Sequence, residues 1–538
     1  MSLKRAFTNC TIYLGGGKRI PRGFVLFDGP QIERIGPESD FQQPAGVEVT
    51  DLAGGLVLPG LVDSHIHLVC YANSLISMDL AETPSLDAGL EAVRTWVAGV
   101  PRGAWVCGRG WDKQRWRLDG VPTRWALDQA APDHPVLLTS RDGHLAWLNS
   151  AALERLGLAD RAPVVEGGDI PVDASGVPMG VFKEKAASLV GAQVADLSSD
   201  RVLNSIKPGC AALRRLGITA VHTIEDAAFS GLLDQAVERG DVSVDLFRMR
   251  EVLEPEEIAH LTPSARVRCI KTYADGTLGS QTASMLEPFE GQPRNRGIAF
   301  APAGKLRQIA ERAVAGGFAV SVHAIGDRAN KEMLDIYEGL RRGTGSGKGG
   351  GAGGTAALLR IEHAQVLRSE DIPRFADLRV IASMQPIHLV ADRRVADRYW
   401  GARSANAYAW KRILDRGGVV AFGSDAPIES PDPLRGIHAA VTRTDPADPG
   451  AGPWFPEERL PVWQAIDCYT GGGCGLRAGR PARVTVLDRD ILGARDGSPR
   501  DAGGPDAGAP GHGAPDPRAI LEARVVATVV AGEPEFYA

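Results

Sequence analysis

The sequence is poor in cysteine and in long apolar runs. Only seven cysteines occur among the 538 residues, and they are scattered with no CxxC pair, which argues against a disulfide framework and against a thiolate zinc site. No run of about 18 apolar residues is present, so we expect no membrane-spanning helix. The N-terminal stretch also lacks the apolar segment of a secretion signal. These absences together predict a cytoplasmic protein.

An excess of charge of either sign is also missing. The formal net charge is −6, with 23% charged and 44% hydrophobic residues, which is ordinary for a soluble globular protein. Proteins that bind nucleic acid or anionic membranes usually carry a marked positive charge. We therefore expect a small-molecule substrate, no nucleic acid and no membrane as partners, while a homodimer stays open.

What the sequence does have is a regular alternation of strand-like and helical segments. The strand-like segments lie near residues 62, 220, 247, 270, 321, 361, 382 and 421. Strands that alternate with helices form parallel βα units, and eight such units favour a closed barrel. Since about 150 residues separate the first two strands, a large insertion at 71–215 is required, and we expect it over the barrel mouth. The predicted fold class is α/β, a distorted (β/α)8 TIM barrel with this insertion after strand 1.

The chain ends and the glycine-rich stretches complete the predicted organisation. The strand-rich ends, 1–59 and 481–538, should pair into one small β-sandwich, because chain termini often lie close together. The barrel is assigned to 60–440, and a closing helical segment is assigned to 441–480.

Two segments are expected to be disordered. The stretches 341–356 and 493–517 are rich in glycine and contain almost no large apolar residues. Such a composition buries too little apolar surface to offset the entropy lost on ordering.

Histidines and an aspartate stand at the ends of the predicted strands. In "GLVDSHIHL", His65 and His67 are two residues apart and therefore point to the same side of a strand. His323, His363 and Asp425 end three later strands. The carboxyl ends of the barrel strands meet at one rim, where active sites lie. Imidazole and carboxylate groups suit zinc or a similar divalent ion, so the pattern predicts a metal centre.

Lys271 in "CIKTYADG" lies within the fourth predicted strand. A buried ammonium group without a partner is energetically costly there. One interpretation is an ion pair with Asp275. The other is that the amine is carboxylated, since the resulting carbamate can bridge two metal ions.

With further motifs, these residues resemble a known family. The segments "GRGWDKQRW", "SRDGHLAWLNSAAL", "GVFKEKA", "IKTYADGTLGSQTA", "SMQPIHL" and "GSDAP" are similar to those of the amidohydrolase superfamily, in particular its amidohydrolase-3 branch with the formamide deformylase-like enzymes. The resemblance implies a distorted barrel, a β-sandwich from both chain ends, and hydrolysis of a C–N bond in an amide, formamide or cyclic amide. One departure is "GRPARVTVLD", in which Arg483 stands where an acid is common.

The resemblance also implies a ligand set. His65 and His67 would bind a first metal ion together with Asp425. His323 and His363 would bind a second ion, and Lys271 would bridge the two. Zinc is the expected metal, one or two ions, with iron and manganese open.

The expected reaction uses a hydroxide that the metal generates from water at neutral pH. Asp425 would act as general base and then as general acid towards the leaving nitrogen. His144, in the inserted segment, is our candidate donor to the oxyanion, although it could equally be a core histidine of the insert.

The remaining candidates each have a structural alternative. Glu184 is a metal ligand, or a partner that orients a metal-binding histidine, or a surface acid. Trp111, Asp275 and His388 are weaker candidates for the substrate pocket, and tryptophan in an insert is more often ordinary packing. Two other functions stay open on the same fold: a metal-dependent lyase, isomerase or cyclase, and a barrel that binds a ligand without catalysis.

Overall fold

The computed structural model divides into two compact units, Met1–Leu68 with Cys210–Ala538, and Val69–Gly209. The structure describes residues 4–113, 115–140, 145–165, 168–184, 186–187, 189–191, 194, 199–343, 357–471, 475–493 and 517–537. His144 and most of the two glycine-rich segments lie outside these residues. Within them, no helix combines the length and the apolar character needed to cross a membrane.

The strands are numbered here in chain order. They are β1 (Lys4–Gly15), β2 (Lys18–Asp28), β3 (Gln31–Pro37), β4 (Glu48–Asp51), β5 (Leu56–Pro59), β6 (Leu61–Ile66), β7 (Met78–Asp79), β8 (Val106–Trp111), β9 (Val136–Ser140), β10 (Leu145–Leu148), β11 (Gly168–Asp169), β12 (Val181–Glu184), β13 (Ile218–Glu225), β14 (Asp245–Glu251), β15 (Cys269–Tyr273), β16 (Ala319–Ala324), β17 (Leu359–His363), β18 (Val380–Met384), β19 (Val419–Phe422), β20 (Val484–Leu487), β21 (Val525–Val530) and β22 (Glu533–Phe536).

The α-helices of the described residues follow the same numbering. They are α1 (Leu68–Leu75), α2 (Leu86–Val97), α3 (Arg124–Ala130), α4 (Ser150–Arg155), α5 (Ser199–Arg215), α6 (Ala227–Glu238), α7 (Ala303–Ala315), α8 (Asp327–Gly343), α9 (Ile372–Asp377), α10 (Pro386–Tyr399), α11 (Trp410–Asp415), α12 (Pro433–Thr442), α13 (Val462–Cys468) and α14 (Arg518–Glu522). Because α8 runs to Gly343, the first residues of the predicted disordered stretch 341–356 are helical.

The core of the first unit is a parallel barrel. Its strand order is β6-β13-β14-β15-β16-β17-β18-β19, and all eight strands fall where the sequence predicts them. The strands β15, β16 and β17 are buried along almost their whole length, as expected for a parallel sheet covered by helices. The two end strands meet just beyond their termini, where the N–H of Asp425 donates to the carbonyl of His65 at 2.7 Å and that of His67 to Ala426 at 2.9 Å.

The chain ends form a second sheet in the same unit. Its order is β22-β21-β20-β5-β1-β2-β3, with β4 beside β1, so strands from the two ends of the chain pair as predicted. β20 pairs with β5 in antiparallel register. Arg483, the residue that departs from the resembling pattern, forms an ion pair with Asp245 at the start of β14.

The second unit contains a sheet of its own, in the order β11-β12-β10-β9-β8-β7. Three indoles meet in its core: the ring of Trp111 lies 6.0 Å from that of Trp116 and 5.8 Å from that of Trp147. Trp111 is fully buried, and its Nε1 donates to the carbonyl of Leu138 at 2.9 Å. Trp111 is thus packed within this unit, and its candidacy for the substrate pocket stays a prediction. The prediction that the insertion lies over the barrel mouth stays a prediction.

Candidate metal centre

Three side chains converge where the first and last barrel strands end. The Nε2 atoms of His65 and His67 lie 3.2 Å and 3.3 Å from Oδ1 of Asp425. Their ligand atoms form one of the groups in the described chain that can hold a metal ion. The convergence follows from the fold, because the backbone bonds between the ends of β6 and β19 place Asp425 beside the two histidines.

A second group shares the same aspartate. Ligand atoms of His363, His388 and Asp425 lie within 4.8 Å of one another. His363 ends β17, and His388 lies in the first turn of α10, which directly follows β18. The imidazole of His388 stacks on that of His363 at 6.1 Å between ring centroids. The structure therefore brings His388, a weak pocket candidate in the sequence, into direct reach of the predicted ligands.

The backbone is strained at two of these positions. Asp425 has a φ of +62°, and His363 has a φ of +73°. A left-handed backbone at a residue other than glycine costs free energy and is found preferentially at functional sites. At these two positions the strained backbone aims the side chains into the common site.

Four imidazoles each have one ring nitrogen beside a hydrogen-bond acceptor. The pairs are His65 Nδ1 with Glu362 Oε2 at 2.7 Å, His67 Nδ1 with the Ile224 carbonyl at 3.2 Å, His323 Nε2 with the Gly276 carbonyl at 3.1 Å, and His363 Nδ1 with Gln385 Oε1 at 2.8 Å. An acceptor at one nitrogen fixes the proton there and leaves a lone pair on the other, which is the usual arrangement of metal-binding histidines. The donor set therefore fits a divalent ion.

The electrostatics of the site favour positive charge between His65 and Asp425. Burial disfavours the imidazolium of His65, but the carboxylates of Asp425 and Glu362 outweigh it and raise the pKa of His65 to about 9. Burial alone would raise the pKa of Asp425, but the neighbouring histidines hold it well below the usual range. A site that stabilises an added positive charge in this way suits a cation.

Lys271 is buried in the middle of β15, as predicted. Burial lowers its pKa to about 8 although Glu362, Asp425 and Glu251 oppose the shift. Its Nζ lies 3.8 Å from the centroid of the Tyr273 ring. Within the part of the chain that the structure describes, no carboxylate oxygen lies within 4 Å of this ammonium group. The interpretation as an ion pair with Asp275 is therefore wrong.

Asp275 instead holds two loops at the barrel rim. It is fully buried, and its oxygens accept the N–H groups of Ser284, Ile325 and Gly326 at 2.8–3.0 Å. Burial raises its pKa to about 7 although these three bonds oppose the shift. These three bonds give Asp275 a structural role in holding the loops, and its candidacy for the substrate pocket stays a prediction. One of its oxygens also lies 3.7 Å from Nε2 of His323.

Sequence reasoning missed a buried charged pair inside the barrel. Glu362 accepts hydrogen bonds from Arg360 at 2.9 Å and from Ser321 at 2.6 Å on one oxygen, and it contacts His65 with the other. Although burial opposes ionisation, Arg360 and His65 keep the pKa of Glu362 well below its usual range. The signal was present in "RIEHAQ", since an arginine and a glutamate within a strand buried on both faces require partners.

The aspartate of the "GLVDSHIHL" motif has a structural role that was also missed. Asp63 accepts the N–H of His65 at 3.1 Å, and it accepts the N–H and the hydroxyl of Ser424 at 3.0 Å and 2.5 Å. It thus ties β6 to the segment after β19. Burial raises its pKa to about 6.

The described structure does not test two remaining candidates. Glu184 lies at the exposed end of β12 in the second unit, and its role towards the metal stays a prediction. His144 lies outside the described residues, so its role as oxyanion donor also stays a prediction.

Comparison with known proteins gives consistent results. The sequence pattern of a protein family described as the amidohydrolase family matches residues 48–535. The chain is 32% identical to YtcJ of Bacillus subtilis (strain 168), named as an amidohydrolase, over 441 residues that cover 80% of this chain and 81% of that protein. It is 27% identical to the N-substituted formamide deformylase of Arthrobacter pascens, over 89% of this chain and 92% of that enzyme.

A solved structure shares the fold. The crystal structure of an uncharacterized metal-dependent hydrolase from Pyrococcus furiosus superimposes with a TM-score of 0.74 at 27% identity, over 91% of this chain and 100% of that one.

Proposed function

The chain belongs to the amidohydrolase family, and we propose that it hydrolyses a carbon–nitrogen bond, other than a peptide bond, in a small amide, formamide or cyclic amide. The observation that carries the proposal is the convergence of His65, His67 and Asp425, with each imidazole oriented through its other nitrogen. Similarity to the formamide deformylase over 89% of the chain supports the choice of bond.

The proposed roles of the residues follow from their positions. His65, His67 and Asp425 would hold a divalent ion, with zinc favoured by the nitrogen and oxygen ligands, and the ion would supply ionised water at neutral pH. The carboxylate of Asp425, only 9% exposed, would take a proton on one of its oxygens. It would then deliver that proton to the departing nitrogen. His144 is the proposed donor to the oxyanion.

Carboxylation of Lys271 belongs to the same proposal. In this reaction the neutral amine nitrogen bonds to the carbon of carbon dioxide and a proton is released, which leaves a carbamate. Burial lowers the pKa of Lys271 to about 8, so a neutral fraction of the amine exists near neutral pH. This supports the carbamate as a ligand at the barrel rim.

The experiment is turnover in water enriched in oxygen-18. The zinc-loaded protein is incubated with panels of N-formyl, N-acyl and cyclic amides and with dipeptides, and the products are identified by mass spectrometry. We expect cleavage of a non-peptide amide with one solvent oxygen in the acid product. A product without solvent oxygen would instead indicate a lyase, isomerase or cyclase. Binding without turnover would indicate a non-catalytic barrel, and cleavage of dipeptides alone would contradict the proposed bond.

A further inference from the structure

A cavity of about 720 Å³ lies at the end of the barrel opposite to the candidate metal centre. Its walls come from the amino ends of β6, β13 and β14 and from the segment 475–483 that precedes β20. All of these residues belong to the first unit. The volume is typical of cavities that hold a small molecule, and the metal centre at the carboxyl ends of the strands has no part in it.

The charges that line this cavity are predominantly positive. Arg268, Arg477 and Arg480 are exposed, and their guanidinium groups make no hydrogen bond or ion pair within the described part of the chain. Asp245 is the one carboxylate among the lining residues that the structure describes, and its ion pair with Arg483 neutralises it. A concave surface lined by charges of one sign concentrates the electrostatic potential, so this cavity should attract an anion.

Arg483 is also the residue that departs from the pattern of the resembling family. Where an acid is common at this position, the chain carries an arginine. An acid there would stand beside Asp245 and add a second carboxylate to the cavity wall. The arginine instead pairs with Asp245, so the positive charge of the cavity is specific to this chain and is not implied by the resemblance.

His222 adds a hydrogen-bond donor on the barrel side of the cavity. Its Nδ1 lies 2.7 Å from Nη1 of Arg360, and since a guanidinium group can only donate, Nδ1 is the acceptor. Burial and the charge of Arg360 lower the pKa of His222 to about 3, so the ring is neutral and its proton is on Nε2. This N–H has no partner among the described residues, and an oxygen of a bound anion can accept it.

The chemistry of the walls favours an organic phosphate as the anion. Guanidinium groups present paired N–H donors that match the oxygens of phosphate and carboxylate groups. A phosphate monoester carries about −1.5 to −2 charges at pH 7, more than one carboxylate, and therefore matches three unpaired arginines better. Val62, Ala220 and Phe247 line the same cavity and provide an apolar surface for the organic part of the ligand.

We propose that this cavity binds a small organic phosphate, with the phosphate group held by Arg268, Arg477 and Arg480 and the organic part against the apolar wall. Binding there requires neither the metal ion nor turnover of an amide, so the proposal is independent of the proposed function.

The test is calorimetric titration of the full-length protein with phenyl phosphate, inorganic phosphate and succinate. We expect phenyl phosphate to bind most tightly and its affinity to fall with added salt. Arg477→Gln and Arg480→Gln should each weaken its binding by about tenfold or more, because each variant loses a charge-assisted hydrogen bond. Arg483→Asp should abolish measurable binding, since it places a second carboxylate beside Asp245.

Two control variants should bind phenyl phosphate as the wild type does. Arg307→Gln removes an exposed arginine on α7, away from the cavity, and Asp425→Asn alters the metal centre alone. Equal affinities in Arg477→Gln and Arg307→Gln would overturn the proposal. Loss of binding in Asp425→Asn together with full binding in the cavity variants would also overturn it, because the phosphate would then be bound at the metal.

The remaining outcomes concern the class of ligand and the folding of the variants. Tighter binding of succinate than of phenyl phosphate would contradict an organic phosphate. Circular dichroism checks that each variant is folded. If Arg483→Asp does not fold, Arg483→Gln replaces it and should weaken binding by about tenfold, since Asp245 then loses its neutralising partner.

Discussion

Asp425 is the residue that both candidate groups of metal-binding side chains share. Its carboxylate contacts both histidines of the motif and faces His388. Its backbone is held by the carbonyl of His65. In the proposed mechanism Asp425 combines a ligand role with proton transfer, so its substitution should affect turnover far more than folding.

We expect Asp425→Asn to keep the fold and to lose turnover. An amide retains the shape of the side chain but neither accepts a proton nor binds a cation as a carboxylate does, so kcat should fall by at least ~10²–10⁴-fold. Steady-state kinetics and circular dichroism check the two parts. The exposed Asp377 supplies the control, since Asp377→Asn should behave as wild type. Unchanged kcat in Asp425→Asn would remove this residue from the mechanism.

Glu362 contacts Nδ1 of His65, and in the proposed site it should therefore govern metal affinity. We expect Glu362→Gln to weaken metal binding by ~10–100-fold, because a neutral amide raises the basicity of the His65 ring less than a carboxylate does. Competition with a fluorescent chelator measures the affinity. The change also leaves Arg360 without its charged partner, so a lower melting temperature is expected. The exposed Glu311 on α7 is the matched control, and equal affinities in Glu362→Gln and Glu311→Gln would contradict this role.

At the scale of elements, the site depends on how closely β6 and β19 approach. Gly423 directly follows β19, and a Cβ there would lie 2.5 Å from the backbone N of His65 and 2.8 Å from Oδ1 of Asp63. Such distances are not tolerated, so any side chain at this position must push the two strand ends apart.

We therefore expect Gly423→Ala to reduce turnover by about 10²-fold, although the residue contacts no ligand of the ion through a side chain. Displacement of Asp425 relative to His65 by about 1 Å would suffice for such a loss. Kinetics of amide hydrolysis provide the measurement. Gly304, in the first turn of α7, has open space around its Cβ position, and Gly304→Ala should leave turnover unchanged. Equal turnover in the two variants would show that the close approach is not required.

At the scale of the whole molecule, the ion should contribute to stability as well as to chemistry. Side chains that could hold an ion come from β6, β17, α10 and the segment after β19, so an ion bound there would link distant parts of the chain in the folded state only. An ion present at 100 times its Kd stabilises the folded protein by about 2.7 kcal/mol.

Removal of the metal with a chelator should therefore lower the melting temperature by several degrees, and added zinc should restore it. Scanning fluorimetry on untreated, chelated and reloaded protein measures the shift. Asp425→Asn should show a smaller shift, because one proposed ligand is lost. A melting temperature that does not respond to chelator in the wild type would exclude a structural contribution from the ion.

The sequence alone determined the positions of the eight barrel strands, the pairing of the chain ends, and the gathering of His65, His67 and Asp425 at one rim. These features follow from local patterns, since apolar periodicity marks strands and polar residues at strand ends in a parallel barrel must share one rim.

Only the tertiary structure decided the rest. Three features depend on contacts between residues far apart in the chain. Asp425 faces His388, Asp275 accepts hydrogen bonds from backbone N–H groups, and Glu362 contacts Nδ1 of His65. Such contacts leave no periodic trace, because rotamers and loop paths set them after the strands are assembled. The sequence therefore predicts which groups gather at the rim, and the packed barrel determines which of them touch.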